Sequence, residues 1–213
     1  MRATLLVEIL TEELPPKALR NLGLSFAGTV HAQLVTQGFA DPAAAYSAYA
    51  TPRRLGVSIP NVADRQAEQT IERKGPAVKA GLDAAGNPTS ALLGFARSCG
   101  IAVQQLEKMH DGKQECFVFR SSKAGLALHS LLTATVTDAL KKLPAAKLMR
   151  WGESEVQFIR PVHGLVMMHG AEVVSGSVFG LPSGNSTWGH RFMGLGRVTL
   201  AGADDYADRK SVV

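Results

Sequence analysis

Four short runs of strand-forming residues follow one another in the C-terminal part of the sequence. They cover residues 156–159, 162–168, 172–181 and 187–192. Turn-forming residues separate them at His169-Gly170 and at Pro182-Ser183-Gly184-Asn185. Short strands joined by such turns are typical of antiparallel pairing. With the helices described next, this pattern predicts an α+β fold in which helices pack on mixed or antiparallel sheets.

Apolar residues recur at helical spacing in three segments. The first covers residues 19–34, and Gly38 can end this helix in a left-handed turn. The second begins at Asn87-Pro88, a pair typical of a helix start, and ends at Gly100. The third covers residues 126–143. The sequence therefore predicts three amphipathic helices.

The segment before the first helix follows an apolar strand at residues 4–9. Thr11 is expected to cap the helix, because its hydroxyl can accept from free amide groups of the first turn. Glu12 and Glu13 would face the positive end of the helix dipole, and Pro15 fits a first turn that needs no amide donor. Alternatively, the two carboxylates bind cations of a partner.

Residues 46–59 form a further predicted strand, with Thr51-Pro52-Arg53-Arg54 in its middle. Proline within a strand indicates an edge strand or a bulge. Consecutive side chains of a strand point to opposite faces, so Arg53 and Arg54 are expected to separate. One of them is expected to be an internal tether. The other can bind a phosphate or a carboxylate through two hydrogen bonds.

Domain boundaries are predicted from a polar stretch at residues 64–74, which ends in the basic turn Arg73-Lys74-Gly75-Pro76. Residues 1–72 would be an N-terminal α/β segment, and residues 73–203 an α+β domain. Residues 204–213 are polar and helix-like, and they are interpreted as the start of a truncated following region.

Composition excludes several classes of protein. With 213 residues and 46% hydrophobic content, the chain can bury a full core. It has no run of 18 apolar residues for a membrane span and no cleavable signal at its start, so a soluble cytoplasmic protein is expected. Cys99 and Cys116 have no CxxC partner, which argues against a zinc ribbon and a disulfide framework.

Positive charge is concentrated in one segment. Lys141, Lys142, Lys147 and Arg150 follow one another without an acidic residue between them. Such a segment attracts phosphate backbones whatever their sequence. The alternative is a solvated helix end, because lysines near a helix C-terminus also complement its dipole.

Three aromatic or basic residues outside this segment are further candidates for binding RNA. Trp151 is either a core anchor or a platform on which a base stacks. His190 and Arg191 are two potential cations in tandem between Gly189 and Phe192, and they are plausible on an anion-facing surface.

A rigid element is predicted at Arg160-Pro161. Arg160 is expected to pair with a carboxylate or with backbone carbonyls and so to be architectural. His163 is expected to have a hydrogen-bonded structural role packed behind Pro161. His163 and His169 lack the i, i+2 or i, i+4 spacing that orients metal ligands, so no metal site is predicted.

Catalytic motifs are not found in the sequence. It has no G-x-x-x-x-G-K-[ST] phosphate loop, no complete dinucleotide fingerprint and no G-x-S-x-G elbow. No catalytic residue and no cofactor of this chain is therefore predicted, and the chain alone is expected to be inactive.

Several motifs carry a resemblance to a known family. They are Leu5-Leu6-Val7-Glu8-Ile9, Thr11-Glu12-Glu13-Leu14-Pro15-Pro16-Lys17-Ala18-Leu19, Ala50-Thr51-Pro52-Arg53-Arg54-Leu55, Glu72-Arg73-Lys74-Gly75-Pro76-Ala77, Gly94-Phe95-Ala96-Arg97-Ser98-Cys99-Gly100, Met149-Arg150-Trp151-Gly152, Phe158-Ile159-Arg160-Pro161-Val162-His163 and Gly189-His190-Arg191-Phe192. In this order the motifs resemble the N-terminal part of the beta subunit of bacterial glycyl-tRNA synthetase. The resemblance departs at Leu10, where the family usually has glycine, and near Gly164, where it has a bulkier residue.

This resemblance implies a role in aminoacylation of tRNA(Gly) within an alpha2beta2 assembly. The alpha subunit would be an obligate partner that uses ATP and Mg, while this chain would support assembly and contact tRNA, with no role for DNA or a membrane. A fold similar to the B3/B4-type domain of the phenylalanyl-tRNA synthetase beta subunit is also implied. Two alternatives stay open: a pure assembly module that docks the alpha subunit or the rest of beta, and a vestigial editing-type hydrolase.

Overall fold

The computed structural model of the chain describes residues 1–83, 85–112, 114–145, 147–151, 155–189 and 196–210. Its contacts define two compact units: unit 1 contains Met1–Gln66 and Leu126–Val213, and unit 2 contains Ala67–Gly125. Unit 2 is thus inserted within the sequence of unit 1. The flanks of the insertion are joined within unit 1, because the Gln66 N–H donates to the Leu126 carbonyl at 3.0 Å.

The helices and strands follow one another along the chain with short connections. In order they are β1 (Arg2–Thr11), α1 (Leu19–Thr36), β2 (Ser47–Thr51), β3 (Arg54–Ala63), β4 (Gln69–Ala77), α2 (Val78–Gly81), α3 (Ser90–Cys99), a 3-10 turn (Val103–Gln105), β5 (Glu107–His110), β6 (Glu115–Lys123), α4 (Leu128–Lys141), β7 (Met149–Arg150), β8 (Gln157–Phe158), β9 (Val162–His169), β10 (Glu172–Val173), β11 (Ser177–Val178), β12 (Leu181–Pro182), β13 (Ser186–Trp188), β14 (Arg197–Thr199) and α5 (Asp205–Lys210). No described helix is long and apolar enough to cross a membrane.

Unit 1 is built on a five-stranded antiparallel sheet with the order β10-β9-β1-β3-β2. β1 is the central strand, and it is buried continuously from Leu5 to Thr11. Because strand side chains alternate, Leu5, Val7 and Ile9 face one side of the sheet. Because both faces of β1 are covered, apolar residues follow one another along its buried part, and a single charged residue interrupts them.

Helices α1 and α4 cover one face of this sheet. Their buried side chains pack with those of β1, β3 and β9 in one core, to which the helices contribute Leu22, Phe26, Val30, Leu34, Leu132, Val136 and Leu140. The apolar spacing that predicted these helices is therefore confirmed. Gly38 follows α1 with φ +77°, the left-handed conformation expected of a glycine that ends a helix.

The opposite face of the sheet is covered by the C-terminal segment. Leu6 of β1 and Val166 and Met168 of β9 pack against Leu200, Ala203 and Tyr206. The α+β class with antiparallel sheets is thus confirmed. Similarity to the B3/B4-type domain stays a prediction.

The expected helix start at Thr11 is wrong. Thr11 ends β1 and its N–H donates to the Arg53 carbonyl at 2.9 Å, while α1 begins only at Leu19 and has no side-chain cap. The strand continues to Thr11 because it pairs with neighbours on both sides. Pro15 lies in the turn between the two elements.

The single strand predicted over residues 46–59 is two strands. β2 and β3 form a hairpin in which Thr51 pairs with Arg54, so Pro52 and Arg53 are the two turn residues. A proline in the turn removes no ladder hydrogen bond, which is why the sheet tolerates it.

Unit 2 is a three-stranded antiparallel sheet with the order β4-β6-β5. Phe117 of this sheet packs with Leu92 and Ala96 of α3 in a small core. The segment predicted as a basic turn, residues 73–76, lies within β4, where the register shifts between Lys74 and Ala77. The predicted boundary at residues 72/73 falls inside the same strand, whereas the contact division falls at Gln66 and Leu126.

Leu10 and Gly164, where the family resemblance departs, are direct cross-strand partners. A Cβ atom placed on Gly164 would lie 2.7 Å from Cδ1 of Leu10. The leucine therefore fills the space that a larger residue at 164 would need.

Candidate interaction site at one end of the central sheet

Three of the motif segments meet at one end of the sheet of unit 1, and we call residues 11–14, 51–54 and 159–163 the motif end. Backbone hydrogen bonds join them. The Glu12 N–H donates to the Pro161 carbonyl at 2.9 Å, and the Leu14 N–H donates to the Pro52 carbonyl at 2.6 Å. The predicted structural residues therefore converge because β1, β3 and β9 are neighbours in the sheet.

Arg160 fixes two of these segments to each other. Its Nε donates to the Glu13 carbonyl at 2.9 Å, and its Nη1 donates to the Ile159 carbonyl at 2.8 Å. The expectation that Arg160 pairs with backbone carbonyls is confirmed. Its role at the motif end is to close the loop that carries Glu12 and Glu13.

Arg53 lies between the two carboxylates of the motif end. Its Nη2 is 3.5 Å from Glu12 and 3.3 Å from Glu13. All three side chains are at least one-third exposed, with Glu13 at 73%. Exposed ion pairs of this kind contribute little to stability, about 0–1 kcal/mol. This trio is therefore a polar surface and not an anchor.

Arg54 is the internal tether that the sequence predicted for one of the paired arginines. Its Nη1 lies 3.0 Å from the carboxylate of Glu8 and 3.4 Å from Oγ1 of Thr187, and its Nη2 donates to the Trp188 carbonyl. The Arg54 side chain is 13% exposed and that of Glu8 is fully buried. One guanidinium thus joins the central strand to β13.

Tyr206 completes this buried cluster from the C-terminal helix. Its hydroxyl donates to Oε1 of Glu8 at 2.5 Å. Burial, and then the neighbouring Glu8 carboxylate, raise the pKa of the Tyr206 hydroxyl far above its usual value. Gly56 gives it room, because a Cβ atom there would lie 3.3 Å from the hydroxyl oxygen.

Sequence reasoning missed Glu8 and Tyr206 as partners. The available signal was the run Leu5-Leu6-Val7-Glu8-Ile9, in which one carboxylate interrupts a strand buried on both faces. Such a carboxylate needs a cation or a donor nearby. Among the described residues, Oε2 of Glu8 and Nε of Arg54 have no hydrogen-bond partner, so the cluster is only partly satisfied.

The cationic candidates Lys141, Lys142, Lys147 and Arg150 lie at the end of α4 and in the segment up to β7. All four side chains are exposed, and none forms an ion pair with a described carboxylate. Lys142 also lines an open groove along α1.

Of the aromatic and tandem candidates, Trp151 is partly buried and packs against the main core of unit 1. This contact supports the interpretation of Trp151 as a core anchor. His190 and Arg191 lie outside the described residues.

His163 is the extra residue of a bulge in β9. Leu10 pairs with Gly164 and Thr11 pairs with Val162, so His163 has no partner on β1 and is exposed. The expected hydrogen bond of His163 has no counterpart in the described part of the chain. His169 does have one, because its Nε2 lies 2.8 Å from the Val62 carbonyl.

Among the described residues, the motif end presents the charged side chains of Glu12, Glu13 and Arg53 on its surface. The described residues include no group of three or more His, Cys, Asp or Glu side chains that could hold a metal ion. Within the same residues, His163 is not within hydrogen-bond reach of an acid or a nucleophile. The fold and this site therefore define an α+β protein in which three motif segments meet at one end of the antiparallel sheet of unit 1.

The chain belongs to the glycyl-tRNA synthetase beta subunit family, whose model matches residues 5–211. It is 50% identical over 209 residues to the glycine–tRNA ligase beta subunit of Neisseria meningitidis serogroup A, covering 98% of this chain and 30% of that protein. The Neisseria gonorrhoeae (strain NCCP11945) subunit is 50% identical, covering 96% of this chain and 30% of its own.

A more distant relative is the beta subunit of Serratia proteamaculans, which is 44% identical over 95% of this chain and 29% of its own. The chain thus spans about 30% of the length of the relatives it matches. These relatives are named as subunits of glycine–tRNA ligase, an aminoacyl-tRNA synthetase.

Replacing Arg160 by alanine should destabilise the protein, because two carbonyls lose a charged donor. Hydrogen bonds to charged groups contribute about 1.5–3 kcal/mol, and partial exposure places Arg160 at the low end. We expect the melting temperature to fall by about 2–4 °C for each kcal/mol lost. Arg20→Ala, on the exposed side of α1, is the control and should change little. An unchanged melting curve for Arg160→Ala would remove its architectural role.

The pKa of Tyr206 predicts a pH dependence at the alkaline end. Because the folded protein keeps this hydroxyl protonated and the unfolded chain ionises near pH 10, its contribution is complete below about pH 10. Above that pH the free energy of unfolding should fall more steeply with pH in the wild type than in Tyr206→Phe. The two slopes should differ by about 1.4 kcal/mol per pH unit. Denaturant unfolding from pH 8 to 11 measures both slopes. Equal slopes would show that Tyr206 titrates normally.

Proposed function

We propose that this chain is the N-terminal part of the beta subunit of a glycyl-tRNA synthetase and supports aminoacylation of tRNA(Gly) through assembly and auxiliary tRNA contact. In this proposal the partner is the alpha subunit in an alpha2beta2 enzyme, and ATP and Mg are used by that subunit. The chain alone is inactive, and the enzyme works in the cytoplasm.

The observation that supports the tRNA contact is a set of cations, Lys141, Lys142, Lys147 and Arg150, that form no ion pair with a carboxylate of the described residues. They are exposed, whereas Arg53 and Arg54 of the motif end are bound to carboxylates. A cation without a carboxylate partner can neutralise a phosphate and release its counterion. The lysine-rich end of α4 is therefore the part of the described surface best suited to an RNA backbone.

A second candidate is a pure assembly module, which a different observation favours. All three arginines of the motif end are paired internally: Arg53 and Arg54 bind carboxylates and Arg160 binds carbonyls. An assembly module would use such arginines to build its surface and would leave RNA binding to other parts of the enzyme.

The two candidates differ in how tRNA binding depends on salt. We expect the wild type to bind tRNA weakly. The logarithm of its affinity should fall linearly with the logarithm of the salt concentration. Each phosphate contact removed should flatten the slope by about 0.7–0.9, so replacing Lys141, Lys142 and Lys147 by alanine should flatten it by about 2–3. Anisotropy with glycine tRNA and with an unrelated tRNA measures the slopes.

The matched control is a triple alanine variant at Lys79, Lys108 and Lys123. It removes the same number of charges from unit 2, so an unspecific effect of net charge would appear in both variants. If the variant at α4 keeps the wild-type slope, the cluster is a solvated helix end and the assembly module becomes the favoured function.

A further inference from the structure

The hairpin of β13 and β14 places an indole directly opposite a guanidinium. Its register pairs Thr187 with Val198 and Trp188 with Arg197. The ladder is closed at both ends: the Gly189 N–H donates to the Gly196 carbonyl at 2.8 Å, and the Leu200 N–H donates to the Asn185 carbonyl at 2.9 Å.

These hydrogen bonds determine how closely the two side chains approach. In an antiparallel ladder, hydrogen-bonded and non-hydrogen-bonded pairs alternate. Because the neighbouring pair Gly189–Gly196 is hydrogen-bonded, Trp188–Arg197 is a non-hydrogen-bonded pair. Cα atoms of such pairs are about 4.5 Å apart, and their side chains are the closest cross-strand neighbours.

The hairpin has one buried and one exposed face. Thr187 is 5% exposed and lies against Arg54, whereas Trp188 is 50% exposed. Arg197 is exposed too and has no carboxylate partner in the described ranges. The half-exposed indole and the exposed guanidinium therefore lie on the same face of the hairpin.

Arg54 holds this pair in place from beneath. The carbonyl of a residue in a non-hydrogen-bonded pair points away from its partner strand, and the Trp188 carbonyl accepts from Nη2 of Arg54. Arg54 is itself fixed by the buried Glu8 carboxylate at 3.0 Å. The backbone under the indole is thus anchored to the central sheet, so little ordering is needed when a ligand binds.

We propose that Trp188 and Arg197 form a binding site for a single-stranded segment of RNA, on which a base stacks against the indole while the guanidinium binds the adjacent phosphate. Aromatic side chains beside cations bind single-stranded nucleic acids, because every base has a π-face that can stack and every phosphate linkage carries a negative charge. This site specifies one part of the proposed tRNA contact, so its proposal depends on the proposed function. It adds two residues of β13 and β14 to the cations at the end of α4.

Intrinsic fluorescence can report on this site directly, because the chain has only two tryptophans. In a Trp151→Phe background, Trp188 is the sole indole. We expect its emission to be quenched when single-stranded oligoadenylate binds and to stay unchanged with an RNA duplex of the same length. Quenching by purified alpha subunit but not by oligoadenylate would overturn the proposal in favour of a protein interface.

Affinity measurements separate the two side chains. Trp188→Ala should weaken binding of oligoadenylate and of glycine tRNA by about 5- to 100-fold, because stacking contributes that much per base. Trp188→Phe should keep most of the affinity. Arg197→Gln should flatten the salt slope by about 0.7, the value for one contact to a single strand. Leu24→Ala, which removes another half-exposed apolar side chain from α1, is the control.

The experiments distinguish an incorrect site at the hairpin from an incorrect proposal of tRNA contact. If Trp188→Ala binds like the wild type while the lysine variant at α4 loses slope, the site at the hairpin is wrong and tRNA contact stands. If the wild-type chain binds neither RNA at low salt, both proposals fail.

Discussion

The ion pair between Glu8 and Arg54 is the interaction on which unit 1 depends. Glu8 lies in the central strand, fully buried, where an unpaired carboxylate would cost several kcal/mol. Arg54 neutralises it from the first residue of β3. The same guanidinium contacts Thr187 and Trp188, and the same carboxylate accepts from Tyr206. Four distant parts of the sequence, at Glu8, Arg54, residues 187–188 and Tyr206, are therefore joined in one buried cluster.

The motif end follows from this arrangement. Because Arg54 begins β3 and turns inward, Arg53 in the preceding turn is directed to Glu12 and Glu13. The two adjacent arginines thus have separate tasks, one in the core and one on the surface. Arg160 then closes the loop of Glu12 and Glu13 from β9's side through the Glu13 carbonyl. The hairpin of β2 and β3 thus contains both the arginine that pairs with the buried carboxylate and the arginine of the exposed polar surface.

Local sequence patterns predicted the helices and strands whose buried apolar residues recur at a regular spacing. The apolar spacing of α1 and α4 and the antiparallel class were predictable because burial of one face imposes them. The division of residues 46–59 into a hairpin was missed because proline is compatible with a bulge as well as with a turn. Thr11 was misplaced because a capping residue and a strand end have the same sequence signal, and only pairing on both sides of β1 decides between them.

Long-range pairing could not be predicted in the same way. Tyr206 is 198 positions from Glu8, and nothing in its local sequence indicates a buried hydroxyl. The insertion of unit 2 depends on a hydrogen bond between Gln66 and Leu126, across 59 intervening residues. Of the candidate site, the separation of Arg53 and Arg54 was predicted, but for the wrong reason: both were expected within one strand, whereas Arg53 lies in the turn and Arg54 begins β3. The pair of Trp188 and Arg197 required the register of β13 and β14.

A double-mutant cycle at Glu8 and Arg54 tests the central role of this ion pair most directly. Denaturant unfolding of Glu8→Gln, Arg54→Met and the double variant gives the coupling free energy. Removing one partner should cost about 3–5 kcal/mol, because the other stays buried and unpaired. Because the two charges stabilise each other, the double variant should lose at least about 1.5 kcal/mol less than the sum of the single losses. Additive losses would show that Glu8 and Arg54 act independently and that unit 1 does not depend on their ion pair.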